Sequence, residues 1–201
     1  MNETPYIQKQ VLLEGRMLFV DRALLYRGAP NGSVSDFFAE LYRFLEINYL
    51  KFFKMDMLSK TLFIASEALL HGSALATPEP KPHVALVLYN SHSSLDTDRR
   101  FQDTIKNDAF FPSPSLFVYT LPNVALGEVA IRNHFMGENC TFMAPNLDAK
   151  RCVEYVKLLI NRGKSTHVVC GWFDFINDRE EAKLYLVSNE KSDKIFNINN
   201  L

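Results

Sequence analysis

Cys140-Thr-Phe-Met-Ala-Pro-Asn146 is a short apolar run that ends in Pro-Asn and feeds directly into Leu147 to Asn161, where apolar residues recur at helical spacing. A strand, a sharp turn and a helix in immediate succession is the unit from which α/β folds are built. At that junction the spacing places Asn146 as the helix N-cap, its side-chain oxygen accepting from free backbone N–H groups. Orphan amides and the positive end of a helix dipole converge at such a point, so chemistry is often mounted there. This junction carries no nucleophile. An amide side chain cannot attack a thioester as Cys or Ser does.

Downstream, Cys152, Val153, Val156, Leu159 and Ile160 form one stripe of the helix, Gly163 ends it, and His167 to Phe173 and Ala182 to Val187 follow as strands. The tail from Ser188 to Leu201 is polar and Asn-rich and is expected to fray. Upstream, Val124 to Phe135 reads as a helix with His134 capping its end, and Leu116 to Tyr119 as a strand. Phe110-Phe-Pro-Ser-Pro114 breaks the chain before it. His83 to Tyr89 is a continuous apolar run suited to a central parallel strand, delivered by the Pro-rich link Thr77 to Pro82. Asp56 and Gly72 bound a helix that is apolar nearly all round; Ser33 or Ser35 caps an earlier one after the turn cluster Gly28 to Ser33; Val11 to Val20 is a strand or hairpin around Gly15. The aromatics at Phe37, Phe38 and Phe44 fall at helical spacing, which core packing accounts for.

With 201 residues and 47% hydrophobic residues the chain buries one full core, so a single domain over 1–201 is expected. A net charge of −1 leaves no polybasic patch for nucleic acid, and no apolar run reaches the length of a membrane span. The first residues lack the basic and apolar regions of a secretion signal, and Cys140, Cys152 and Cys170 sit in apolar contexts as reduced thiols; a cytoplasmic protein is expected. Neither zinc-site spacing nor a phosphate-cradling glycine loop occurs, so no cofactor or metal is expected.

Leu121-Pro-Asn-Val-Ala-Leu-Gly-Glu-Val-Ala-Ile-Arg132, Gly137-Glu-Asn-Cys-Thr141, the helix to Arg162-Gly163, and Val168-Val-Cys-Gly171 to Asp174 together resemble the N-terminal half of β-ketoacyl synthases, as does Lys54-Met-Asp-Met-Leu-Ser-Lys60 upstream. The words fall in the family's order across residues 54–175. The resemblance implies a three-layer, thiolase-like half-fold, a mixed five-stranded sheet with helices on both faces. It also implies that Asn146 stands where the family has its cysteine, and that the two histidines and the lysine of the family's site belong to a C-terminal half with no counterpart in these residues. Glu138 stands for a usual proline and Trp172 for a usual glycine, which puts close packing behind the turn in question. The family pairs through the strand before the nucleophile turn, here Cys140 to Ala144, so a homodimer or a heterodimer through that segment is expected.

Three functions follow as rival expectations. The first is a non-condensing accessory subunit that partners an acyl carrier protein or a complete ketosynthase in fatty-acid, polyketide or polyene synthesis. The second is an acyltransferase or hydrolase using the loop Ser93, His92 and Asp96, although triad members usually meet in space rather than in sequence. The third is a pairing scaffold without any acyl ligand. No catalytic residue is assigned, and the candidate substrate-binding residues are Asn90, Ser91, Asn123 and Asn146, at loops expected to open at the carboxyl ends of the strands.

Overall fold

The computed structural model describes residues 4–30, 32–106 and 111–201. Asn31 of the turn cluster and Phe110 of the Pro-rich break lie outside them.

Alternation of buried and exposed positions begins at once. Strand β1 (Tyr6–Glu14) turns at Gly15-Arg16 into β2 (Met17–Val20), which turns at Asp21-Arg22 into β3 (Ala23–Arg27). Both residues of each turn have positive φ, the geometry whose twist suits two-residue hairpins. Helix α1 (Val34–Phe44) is capped by Ser33, which accepts from Asp36 N at 3.0 Å. After a 3₁₀ turn at Leu50–Lys54, α2 (Met57–Leu70) starts at Asp56, whose carboxylate accepts from Ser59 N at 2.9 Å. All seven residues of β4 (Val84–Asn90) are buried, as a strand covered on both faces must be. Then come α3 (Leu95–Asp103), α4 (Pro114–Phe117), α5 (Asn123–Asn133), β5 (Asn139–Met143), α6 (Ala149–Asn161), β6 (His167–Ile176) and β7 (Arg179–Ser188).

The sheet runs β3-β2-β1-β7-β6-β4-β5. Strand β4 is parallel to β5 and β6, and the other neighbours are antiparallel. The carboxyl ends of β4, β5 and β6 therefore share one end of the sheet. Helices α1, α2 and α5 bury one face, and α6 covers the other. This is the expected three-layer α/β architecture, with seven strands instead of five.

The extra strands come from the two tight turns near the N-terminus. One expected strand is missing in exchange: Leu116 to Tyr119 is helical turn, because Ser113 caps it, Pro114 opens it, and Phe117 and Val118 are exposed with no strand among the described residues to pair with. The C-terminal tail does not fray. Ile7 N donates to Lys194 O at 2.8 Å, Phe196 N to Pro5 O at 2.9 Å, and the Phe196 ring is fully buried in the core beneath α6. One phenylalanine in a polar tail is enough to anchor it, since burying that ring is favourable by roughly 1.5–3 kcal/mol.

The close packing questioned by Glu138 and Trp172 is present. A Cβ on Gly171 would stand 2.1 Å from Lys183 O, and its φ of +135° suits only glycine, so β6 and β7 approach there because the residue has no side chain. Trp172 instead lies on the α6 face and donates from Nε1 to Glu181 Oε2 at 3.2 Å. Gly137 does the same service beside Val84 O, and Glu138 Oε1 accepts from Tyr155 at 3.1 Å.

Candidate functional site

Three connections leave the shared carboxyl end of the sheet: residues 91–94 after β4, residues 144–148 after β5, and the tight turn Asn177-Asp178 between β6 and β7. The second holds Asn146, but not as an N-cap. Ala144 N still bonds Asn90 O at 3.0 Å, Pro145 offers no N–H, and the chain needs two more residues before it can turn into α6. Asp148 is the cap, accepting from Arg151 N at 3.0 Å. Asn146 is exposed in the bend ahead of it. The helix amides are thus answered by a carboxylate, whose charge suits the dipole and opposes a second anion nearby.

The loop after β4 is built differently. Asn90 is fully buried; its amide donates to Phe173 O at 2.9 Å and Asp174 Oδ1 at 3.1 Å, and its oxygen accepts from Ser93 N. That bond holds Ser93 at φ 55°, left-handed backbone for a non-glycine residue. Asp174, 5% exposed at the end of β6, also takes Phe175 N at 3.0 Å on Oδ1, and on Oδ2 both Ser91 Oγ and His92 Nδ1 at 2.6 Å. Four hydrogen bonds converging on one buried carboxylate lock the loop to the neighbouring strand.

This arrangement corrects the Ser93, His92 and Asp96 reading. The acid beside His92 is Asp174, more than eighty residues away in the chain; Asp96 stands in the first turn of α3, and Ser93 is turned into the backbone bond. The serine that does touch the ring is Ser91, at 2.8 Å, but it meets the same Nδ1 that Asp174 holds. A relay needs serine and acid on opposite ring nitrogens, so no triad forms.

Of the four residues expected to bind, Asn90 and Ser91 are spent within this network, and Asn146 and Asn123 are exposed. Because α5 runs back against β5, its first residue Asn123 lies at the carboxyl end of the sheet and His134 at the other. His134 caps α5 in the left-handed region, with its carbonyl accepting from Lys81 N at 2.7 Å.

Beside the turn, between β5 and α6, opens a groove of about 480 Å³ lined by Tyr89, Phe142, Met143, Ala144, Tyr155 and Leu158, with Asp148, Arg151 and Glu154 at its rim. Phe142 stacks on Tyr89 at 5.0 Å and meets Tyr155 edge-on at 5.7 Å. Burial pushes the Tyr89 hydroxyl up to about 12, so it stays neutral there. Sequence reasoning missed both this groove and Asp174. The only sequence signal for Asp174 is an acid at the end of an apolar run.

None of the cysteines is an activated nucleophile. Cys152 and Cys170 are fully buried, and burial raises the thiols of Cys170 and Cys140. Among the described residues no group of three His, Cys, Asp or Glu converges as a metal site, and no helix is long and apolar enough to cross a membrane.

No family model and no curated protein sequence matches the chain. Solved structures do match. The ishigamide ketosynthase/chain length factor superposes with a TM-score of 0.67 at 18% identity, over 95% of this chain and 64% of that one. A type II PKS acyl-carrier protein in complex with its ketosynthase (AntDE:AntF) gives 0.65 at 10% identity, over 94% and 63%. The ketosynthase ApeO in complex with its chain length factor ApeC from Xenorhabdus doucetiae gives 0.58 at 13% identity, over 92% and 79%. The chain thus spans somewhat under two thirds of the length of the first two. At these identities the likeness is one of fold: the chain has the thiolase-like fold of ketosynthase and chain length factor proteins.

Proposed function

We propose that the protein is a non-condensing, ketosynthase-like subunit, a single unit over 1–201, that works by pairing through β5 in polyketide, polyene or fatty-acid assembly. The observation that carries this reading is the state of β5. Among the described residues it pairs with β4 alone, its last residue Met143 is exposed, and exposed Met136 and Leu158 stand beside it. A five-residue strand with a free edge and apolar neighbours is a liability unless something covers it.

The turn after it supports the same reading from the chemical side. Decarboxylative condensation needs a thiolate to hold the acyl group and donors for the charge that develops, and Asn146 supplies no thiolate. In the solved neighbours the same fold occurs beside a chain length factor or an acyl-carrier protein, which makes a ketosynthase-fold subunit or a carrier protein the fitting class of partner. An acyl chain or pantetheine arm would approach the carboxyl ends of the strands by Asn123 and Asn146, where the apolar groove opens. Asn90 and Ser91 would act there as the rigid wall. This chemistry asks for no cofactor of the protein's own, and reduced cysteines suit a cytoplasmic setting.

Purification from the host followed by native mass spectrometry tests the proposal. A ketosynthase-fold partner or an acyl carrier in the complex is the expected result. A monomer at micromolar concentration with neither partner overturns it.

A further inference from the structure

On the α6 side of the sheet the pairing registers put five side chains in line. Leu12 stands opposite Lys183 on one neighbour and Phe19 on the other, and Gln10 stands opposite Tyr185. Val11, Leu13, Leu18 and Leu184 face the core beneath α1 and α2, so by strand alternation Gln10, Leu12, Phe19, Lys183 and Tyr185 face the other way. Helix α6 packs on β6, and beyond it a cavity of about 400 Å³ opens over β1, β2 and β7, closed at its rim by Asn199, Asn200 and Leu201. Leu12, Phe19 and the Tyr185 ring give it apolar surface, and Lys183 and Arg22, from the turn between β2 and β3, add two cations. Neither cation forms an ion pair or a side-chain hydrogen bond among the described residues. Acids near them in sequence are engaged elsewhere: Asp21 Oδ1 accepts from Gln10 N at 3.1 Å, and Glu181 Oε2 from Trp172 Nε1 at 3.2 Å.

Tyr185 supplies a second, independent sign. The residue is 1% exposed, yet its hydroxyl has no hydrogen-bond partner among the described residues and is not one of the side-chain oxygens sealed inside the protein. A tyrosine O–H buried to this degree normally finds a partner. Here it reaches the cavity that its ring lines. Burial raises this hydroxyl above the ordinary phenol range and the Arg22 charge works against the rise, which leaves a neutral O–H to donate beside a cation. Lys183 Nζ lies 5.7 Å from the centre of the same ring, so the second cation is held close by.

We propose that this cavity binds a small carboxylic acid with an apolar body. The carboxylate accepts from Arg22, Lys183 and the Tyr185 hydroxyl, while the body displaces water from Leu12 and Phe19. Charge sets the sign of the ligand, since an amine would meet two like charges. The apolar lining separates it from a bare phosphate, which would leave Leu12 and Phe19 wet. A cavity of this size lies within the range of small-molecule sites. Strands β7, β6 and β4 stand between β1 and the β5 edge, so this site stands or falls apart from the proposed pairing.

Phenylbutyrate is the probe, followed by calorimetry and thermal unfolding of the full chain. It should bind and raise the melting temperature; phenylbutylamine and inorganic phosphate should do neither. Arg22→Gln and Lys183→Gln should each weaken phenylbutyrate by about tenfold or more, the worth of one charge-assisted hydrogen bond. Tyr185→Phe is the sharper variant. It removes an oxygen that the ligand-free protein does not use, so the melting temperature without phenylbutyrate holds while affinity falls by about fivefold or more. Arg22 and Lys183 are exposed, so their variants fold and decide the matter whatever Tyr185→Phe does. Phenylbutyrate that binds all three variants as it binds wild type sits elsewhere and overturns the site. Phosphate binding in its place, lost with Arg22→Gln and Lys183→Gln, overturns the apolar body, and binding of none of the three probes overturns the proposal outright.

Discussion

The two loops at the carboxyl end of the sheet leave neighbouring parallel strands and could hardly be more unlike. After β4, a buried asparagine and a buried aspartate tie the chain down with bonds to the end of β6, at the cost of a left-handed serine. After β5, the bend at Pro145 and Asn146 is exposed, held at its ends by Ala144 N and the Asp148 cap. The polar residues with the most structure around them are thus not at the turn that the fold's relatives make one expect, but one strand over. A loop that rigid costs stability when broken and gives a fixed wall when intact; a bend that open tolerates change.

The largest expected effect breaks that contrast at its centre. Asp174→Ala leaves the Asn90 amide with Phe173 O alone and takes their shared acceptor from the Ser91 hydroxyl, the His92 ring and Phe175 N–H; it should lower unfolding stability by about 3–5 kcal/mol, as loss of one partner of a buried polar network does. Asn146→Ala, across the gap, should change stability by less than about 0.5 kcal/mol. Urea unfolding of both variants measures the difference; comparable losses would mean the two loops are equally load-sharing.

A middle-sized effect lies at the far end of the first loop. Thr97 Oγ1, early in α3, donates to Asp56 Oδ2 at 2.7 Å, so the acid that caps α2 also anchors the helix following residues 91–94. Burial raises the Asp56 carboxyl above its ordinary value despite the bonds from Ser59 and Thr97. The native state therefore holds this proton more tightly than the unfolded chain does. Its contribution is fully present below the unfolded value and is lost as pH rises through the folded one. Asp56→Asn keeps an acceptor for Ser59 N and carries no charge. Relative to wild type it should gain stability as pH is raised from about 3 to about 6, and an unchanged difference across that range would show that the carboxylate is solvated. Smaller still, Asp148→Ala should cost about 1 kcal/mol, the usual worth of a cap, while Asn146→Ala costs none. The reverse order in thermal melts would restore Asn146 as the cap.

How far these contrasts were legible differs by residue. The apolar runs at 83–89 and 167–173 and the cap at Asp56 were readable because burial and capping leave marks within a few residues. The layer order came from the resemblance to β-ketoacyl synthases, whose words lie in order along residues 54–175. Asp174 beside His92 was not readable, because the contact joins residues adjacent only through the parallel pairing of β4 and β6. The cap at Asp148 was missed for a local reason. Asn and Asp are equally good caps, and nothing in Pro-Asn-Leu-Asp says which one the strand's last hydrogen bond leaves in place. The tail was misread because composition averages away a single Phe196, and one buried ring decides it.

The smallest expected effect on stability, and the sharpest on chemistry, is Asn146→Cys. Had residue 146 been the cap, a thiol there would have met the free amides of α6 and been acidified by them. The amides instead meet Asp148, and a carboxylate two residues on disfavours a second negative charge. The installed thiol should therefore alkylate with iodoacetamide along a pH profile centred near the ordinary value of about 8.5. It should accept acyl groups slowly, and with acyl and malonyl carrier proteins it should yield no ketoacyl product by mass spectrometry. Pairing the change with Asp148→Ser tests the cause: a neutral cap removes the opposing charge, and the midpoint should fall. A single variant already titrating below neutrality would mean that the helix reaches residue 146 past its cap, and a carbon–carbon bond formed by either variant would mean that His92, held on Asp174, supplies the group that stabilises the enolate.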